Sequence, residues 1–200
     1  MSAQHQQDMA NAGTGKPLDG SQGNSPYYPA NDQSALAAAF EEIINGVRSC
    51  VLTLEGTVDP AHTGIWVWSG GGQMSLHCIF RHGNIFKSAI AVAFVADQTL
   101  YDNIYQERYM GLPDDNKTGY REGSPITHAK NLTGNLLIMH GTGDDNVHYQ
   151  NFEKMVNELV KHNKLFSMMA YPMRDHGINQ GVNTTLQMRR TMEQFWKKNL

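Results

Sequence analysis

Ile65-Trp66-Val67-Trp68-Ser69-Gly70-Gly71-Gly72 decides the fold. An apolar run of β-branched and aromatic residues stops at a serine, and three glycines follow. Behind them Gln73-Met74-Ser75-Leu76-His77-Cys78-Ile79-Phe80 reads as the first turns of a buried helix. The stretch therefore predicts a strand that turns sharply into a helix, with Ser69 at the corner. A serine there sits on a strained backbone that pushes its hydroxyl out of the sheet. Its neighbours must be small, because strand and helix nearly touch. The glycines supply that smallness after the serine; Val67 does not supply it before.

From this corner the pattern extends in both directions. Downstream, Phe86 to Val95 reads as a fully buried strand, whose lack of alternation implies cover on both faces, as in a parallel sheet. Residues 97–109 are polar and aromatic and read as a helix, with Gly111 to Asp115 an exposed loop. Leu136 to His140 is a second buried strand, ending in the loop Gly141 to Asn146. The helix after it carries Phe152, Val156, Leu159 and Val160 on one face, opposite Glu153, Lys154, Glu158 and Lys161. Leu165 to Tyr171 is a further strand, with Met168 and Met169 as core filler, and Arg174 to Gly177 the loop beyond it. A last helix from Asn183 buries Met188, Met192, Phe195 and Trp196. Alternating strands and helices from Gly64 onward make a mostly parallel α/β sheet with helices on both faces. Upstream, Asp32 reads as the cap of a helix through Leu36 and Val47. Residues 1–30 are rich in Gln, Asn, Gly and Ser and form a disordered lead-in.

Composition narrows the function. The chain has 200 residues, 40% of them apolar, and a formal charge of −3. That is enough for one core, and it offers no basic surface for nucleic acid. The longest apolar run, Ala89 to Ala96, is far too short to cross a bilayer. No signal peptide is visible, and the compartment stays open. Cys50 and Cys78 have no metal or redox spacing and read as buried thiols. His140, Asp144, Asp145 and His148 fall within nine residues, yet their spacing fits no metal motif, so no metal or other cofactor is expected.

In open α/β sheets the chemistry lies beyond the carboxyl ends of the strands. Ser69, Asp144 and His176 all fall there. A serine hydroxyl needs an adjacent base, and a histidine base needs a carboxylate to fix its tautomer and stabilise its charged form. The chain order serine, acid, histidine is that of the α/β-hydrolases, whose strand-to-helix corner is the nucleophile elbow. The residues alone do not separate Asp144 from Asp145.

Longer strings narrow this further. From about Val58 to Leu200 the chain resembles the dipeptidyl peptidase IV group of the prolyl oligopeptidase family of serine peptidases. The resemblance rests on Trp66-Val67-Trp68-Ser69-Gly70-Gly71-Gly72, on Tyr105-Gln106-Glu107-Arg108-Tyr109-Met110-Gly111-Leu112-Pro113, on His140-Gly141-Thr142-Gly143-Asp144-Asp145-Asn146-Val147-His148 and on Asp175-His176-Gly177. It implies Ser69 as nucleophile, Asp144 as acid, His176 as base and the Gly70 N–H as an oxyanion donor. It implies that Val95, Tyr101, Tyr105 and Val147 line the pocket for the residue before the scissile bond, and that Asn146 holds the preceding carbonyl. The implied activity is release of N-terminal dipeptides ending in proline or alanine through an acyl-enzyme, with a possible homodimer through the last helix. Residues 31–200 would then be a partial α/β-hydrolase catalytic domain, without the early strands, their oxyanion tyrosine or the family's propeller. Two alternatives stay open: a promiscuous esterase or peptidase that keeps only the triad, and an inactive α/β domain with a packing or binding role. Val67 stands where the pattern has glycine, which predicts a cost of about 1–3 kcal/mol or a displaced helix.

Overall fold

The computed structural model describes residues 59–200. The expected lead-in, the helix from Asp32 and Cys50 lie outside those residues. Four parallel strands form one sheet in the order β1-β2-β3-β4: β1 Gly64–Trp68, β2 Ser88–Val92, β3 Asn135–Gly141 and β4 Ser167–Tyr171. Helix α1, Gly70–Arg81, connects β1 to β2. Helices α2, Asn103–Met110, and α3, Lys117–Glu122, follow β2, with a 3₁₀ stretch at Pro125–Asn131. Helix α4, Gln150–Lys161, connects β3 to β4, and α5, Thr184–Asn199, closes the chain. No described helix is long and apolar enough to cross a membrane.

The side-chain period of two explains the layers. Ala89, Ala91, Leu136 and Ile138 face α1, the 3₁₀ stretch and α4, where Leu76, Ile79, Phe80, Leu132, Phe152, Met155 and Leu159 complete a core. Ile90, Val92, Leu137 and Met139 face the other way, onto Met188, Met192 and Phe195 of α5. With apolar side chains on both faces, β2 is buried throughout, as its unalternating sequence predicts.

Three local expectations shift. On α4 the buried stripe is Phe152, Met155 and Leu159, whereas Val160 is 62% exposed. Methionine fills the face, and the β-branched residue lies one position past it. Strand β4 starts at Ser167, and Leu165 and Met168 are largely exposed, so Met168 is not core filler. β4 is the outermost strand of the sheet among the described residues, which leaves one of its faces only partly covered. The segment after Asp97 divides into a short 3₁₀ turn at Gln98–Leu100 and α2, each capped by an aspartate.

The elbow accommodates Val67 over Gly71. Helix α1 begins at Gly70, the residue after the serine. A Cβ on Gly71 would overlap Val67 Cγ1, so the valine occupies the space that a side chain at 71 would need. At Gly72 a Cβ would stand 2.8 Å from the Val92 carbonyl oxygen, so here the helix does press on the sheet backbone.

Candidate active site

The carboxyl ends of the four strands gather the candidate residues. Ser69 has φ 58° and ψ −127°, a region that L-residues other than glycine adopt only under strain. Its amide donates to the Val92 carbonyl at 2.8 Å, and its carbonyl accepts from Gln73 N at 3.0 Å. The corner is thus held by the end of β2 on one side and by the first turn of α1 on the other. Gly70 opens α1, so its N–H belongs to the first turn, where amides have no intrahelical acceptor. A side chain there would meet nothing within 4 Å, so the helix start is open on that side.

Asp144 and His176 come from the loops after β3 and β4. His176 Nδ1 lies 2.8 Å from Asp144 Oδ2. Asp144 is buried, and its Oδ1 accepts from the backbone N–H groups of Asn146 and Val147 at 3.0 and 2.9 Å. Burial alone would raise its pKa. The hydrogen bonds from His140, His176 and the Asn146 amide outweigh that and hold the carboxyl well below the usual carboxylate range. Asp145 is exposed, so the two acids that sequence could not separate are separated by burial.

Backbone contacts lock these loops together. Thr142 N donates to Tyr171 O, Gly143 N to Arg174 O, and Met173 N to Thr142 Oγ1. The Trp68 indole, beside Ser69, donates to the His176 carbonyl at 2.8 Å. This bond ties the end of β1 to the histidine loop. Among the described residues no hydrogen bond joins Ser69 Oγ to His176. Such bonds are often long without substrate and tighten in the Michaelis complex.

The expected pocket residues lie on the loop after β2 and facing it. The Tyr101 hydroxyl donates to Asn146 Oδ1 at 3.0 Å, and the Tyr101 and Tyr105 rings meet edge to face at 5.5 Å. Tyr105 is exposed, and its amide is capped by Asp102. Tyr101, Asp102, Asp145 and Asn146 surround a shallow open depression. Val95 and Val147 are buried and do not contribute to that rim. Asn151, fully buried, accepts from Ala96 N and Asp97 N and donates to His148 O, joining this loop to the acid loop.

Sequence reasoning missed three parts of this arrangement: the Trp68–His176 tie, the Asn151 clamp and the place of His140. His140 bonds Asp144 directly, while His148 Nδ1 accepts from Gln150 N on the outside. The alternation of β3 carried a signal for His140, since Leu136, Ile138 and His140 share one face.

Comparison with known proteins identifies the family. The prolyl oligopeptidase family profile matches residues 20–200. A probable dipeptidyl-aminopeptidase B of Uncinocarpus reesii is 44% identical over 159 residues, covering 78% of this chain and 16% of that protein. Dipeptidyl peptidase 4 of Bos taurus is 40% identical over 126 residues, covering 62% of this chain and 16% of its own length. The crystal structure of Porphyromonas gingivalis dipeptidyl peptidase 4 superposes with a TM-score of 0.70 at 42% identity, covering 72% of this chain and 20% of that one. The chain therefore spans about one sixth of the length of these curated relatives. The parallel sheet with helices on both faces is of the α/β-hydrolase fold, and the chain belongs to the prolyl oligopeptidase family.

Proposed function

We propose that this chain carries the Ser-His-Asp apparatus of a serine peptidase that releases N-terminal dipeptides with proline or alanine in second position. The observation that carries the reading is the 2.8 Å bond between His176 Nδ1 and buried Asp144, made at the strand ends where Ser69 turns on a strained backbone. In this reading Ser69 Oγ attacks the carbonyl carbon of the scissile bond and His176 Nε2 takes its proton. Asp144 stabilises the imidazolium that results. The Gly70 N–H meets the charge that develops on the carbonyl oxygen. The C–N bond then breaks, and His176 returns the proton to the leaving amine. Water repeats the sequence on the acyl-enzyme, which frees the dipeptide and Ser69.

The aromatic faces of Tyr101 and Tyr105 would grip a proline ring or an alanine methyl, over the buried Val95 and Val147. Asn146 accepts from Tyr101 through Oδ1, so its Nδ2 is the group that would donate to the preceding carbonyl. A homodimer through α5 belongs to the same proposal; its exposed Leu186 is available for such a contact.

The test is covalent. A fluorophosphonate probe should label the wild-type chain, and Ser69→Ala should abolish labelling. A folded protein that is never labelled overturns the reading in favour of an inactive domain. Turnover of a Gly-Pro reporter well above that of a simple acetyl ester supports the dipeptidyl activity. Equal turnover of the two would reduce it to a general esterase.

A further inference from the structure

β3 carries Leu136, Ile138 and His140 on one face, and the last of these is a fully buried imidazole at the strand end. His140 Nε2 lies 3.1 Å from Asp144 Oδ2 and 2.9 Å from the Val147 carbonyl oxygen. Both neighbours are acceptors when Asp144 is ionised, so Nε2 carries the hydrogen and serves them both. Among the described residues Nδ1 has no hydrogen-bond partner. The ring is enclosed by Phe94, Tyr149 and Phe152, whose centroids stand 5.7, 5.8 and 5.9 Å away in edge-on arrangements. A hydrogen on Nδ1 would be a buried donor with no acceptor among the described residues, so the hydrogen that the geometry uses is the one on Nε2.

The consequence lies in Asp144. Its Oδ1 is fixed by two backbone amides, and its Oδ2 receives two imidazole donors, one from each side. One of these, His140, stands on a rigid strand in the core. The other, His176, stands half-buried on a loop. The strand donor fixes the plane of the carboxylate, and the loop histidine then meets an oxygen that cannot turn away. If packing alone decided this position, an aliphatic side chain would fill it without leaving Nδ1 unpaired.

We propose that His140 is a positioning residue: its Nε2–H anchors Asp144 Oδ2 to β3, so that the carboxylate holds His176 in one orientation. This rests on the Ser69–His176–Asp144 reading, and the experiment separates the two. H140F and H140M remove the donor at similar bulk, whereas H140Q places an amide nitrogen near the position of Nε2. Fluorophosphonate labelling of Ser69 is measured on the full chain across probe concentrations, and the His176 imidazole is titrated by NMR.

H140F and H140M should slow maximal labelling about 10-fold or more, the loss of roughly one charge-assisted hydrogen bond, with the half-saturating probe concentration within about twofold. H140Q should recover most of that loss. In H140F the His176 titration should move to higher pH, because Asp144 Oδ2 no longer divides its charge between two donors. The other titratable groups around the cluster are Tyr149 against the His140 ring, Tyr101 on Asn146, and Asp145 and Asp175 beside Asp144 and His176; all are unchanged in these variants.

Wild-type labelling in H140F and H140M with an unmoved His176 titration would overturn the proposal. So would H140Q labelling as slowly as H140F, which is what a purely packing role gives. If wild-type Ser69 is never labelled, the triad reading fails. The His176 titration still decides whether His140 acts on it through Asp144, and an unmoved titration then overturns the proposal too.

Discussion

At the elbow one residue takes the room that another gives up. Val67 fills the space over Gly71, so each tolerates only the other's present size. Gly71→Ala should destabilise the protein by about 1–3 kcal/mol, because the new methyl overlaps both Cγ1 and Cβ of a β-branched side chain, and Cβ cannot move without the strand backbone. Val67→Gly added to it should recover most of that loss. A double-mutant cycle in chemical denaturation measures the coupling, and additive effects would show that the two side chains do not compete. The corner itself was legible because a strand ending at serine and followed by three glycines has few other uses. What was not legible was where the room for Val67 comes from, since that depends on how strand and helix register across the turn. Residue chemistry alone does not separate Asp144 from Asp145; burial and the bond to His176 do. His140 looked like a strand residue because its partner is a carboxylate in the following loop.

Among the elements, the two loops after β3 and β4 decide whether Asp144 and His176 meet. They approach so closely that a Cβ on Gly141 would overlap the Arg174 carbonyl oxygen and stand 2.6 Å from that of Asp175. These are backbone atoms next to His176 and cannot swing aside. Gly141→Ala should therefore push the histidine loop off Asp144 and slow Ser69 labelling about 100-fold, the scale expected of a misplacement near 1 Å. The variant should keep its far-UV circular dichroism, because Gly141 is the last residue of β3 and the rest of the sheet pairing is untouched. Labelling at the wild-type rate would count against this close fit. The order of elements was readable from hydrophobic periods, and each strand end fell within a few residues of its expected place. Errors came where period alone decides poorly. On α4 the sequence offers Val156 and Val160 as well as Met155 for the buried stripe, and the final angle of the helix on the sheet selects Met155. On β4 a run of apolar residues looked like core, but a strand at the end of a sheet leaves part of such a run uncovered.

For the molecule as a whole, we expect acid stability to depend on a buried histidine outside the candidate site. His77 on α1 is buried, donates from Nε2 to the Gly123 carbonyl and stacks obliquely on His128. Burial, only partly offset by that hydrogen bond, lowers its pKa from 6.5 to about 4. The folded pKa lies below the unfolded one, so between these values the unfolded chain binds the proton and the folded chain does not. Stability is therefore full above pH 6.5 and is lost as pH falls toward 4, by up to about 3 kcal/mol. His77→Gln keeps a donor toward Gly123 but does not titrate. Its denaturation midpoint should fall less than that of the wild type between pH 7 and pH 4, and parallel curves would remove His77 as the cause.

The second whole-molecule property follows from the ends of the sheet. Among the described residues β1 and β4 each pair on one side only. β1 exposes Trp66 and Val67, each 41% accessible, and Trp66 is partly covered by the guanidinium of Arg189 at 5.2 Å. β4 exposes Met168, next to a nearly bare Leu165. An unpaired strand edge bordered by apolar side chains favours pairing with another copy. We expect self-association that grows with protein concentration, seen as a rising weight-average sedimentation coefficient and a concentration-dependent thermal midpoint. Met168→Lys places a charge at the β4 edge and should shift the equilibrium toward monomer. It should leave Ser69 labelling intact, since Met168 lies near the start of β4, at the opposite end from the candidate site. Leu186→Lys on α5 serves as the comparison, because it disturbs an association through the last helix and leaves the strand edges as they are. If sedimentation shows a monomer over the whole concentration range, the edges are not adhesive. If Leu186→Lys dissociates the protein and Met168→Lys does not, the contact runs through α5 instead.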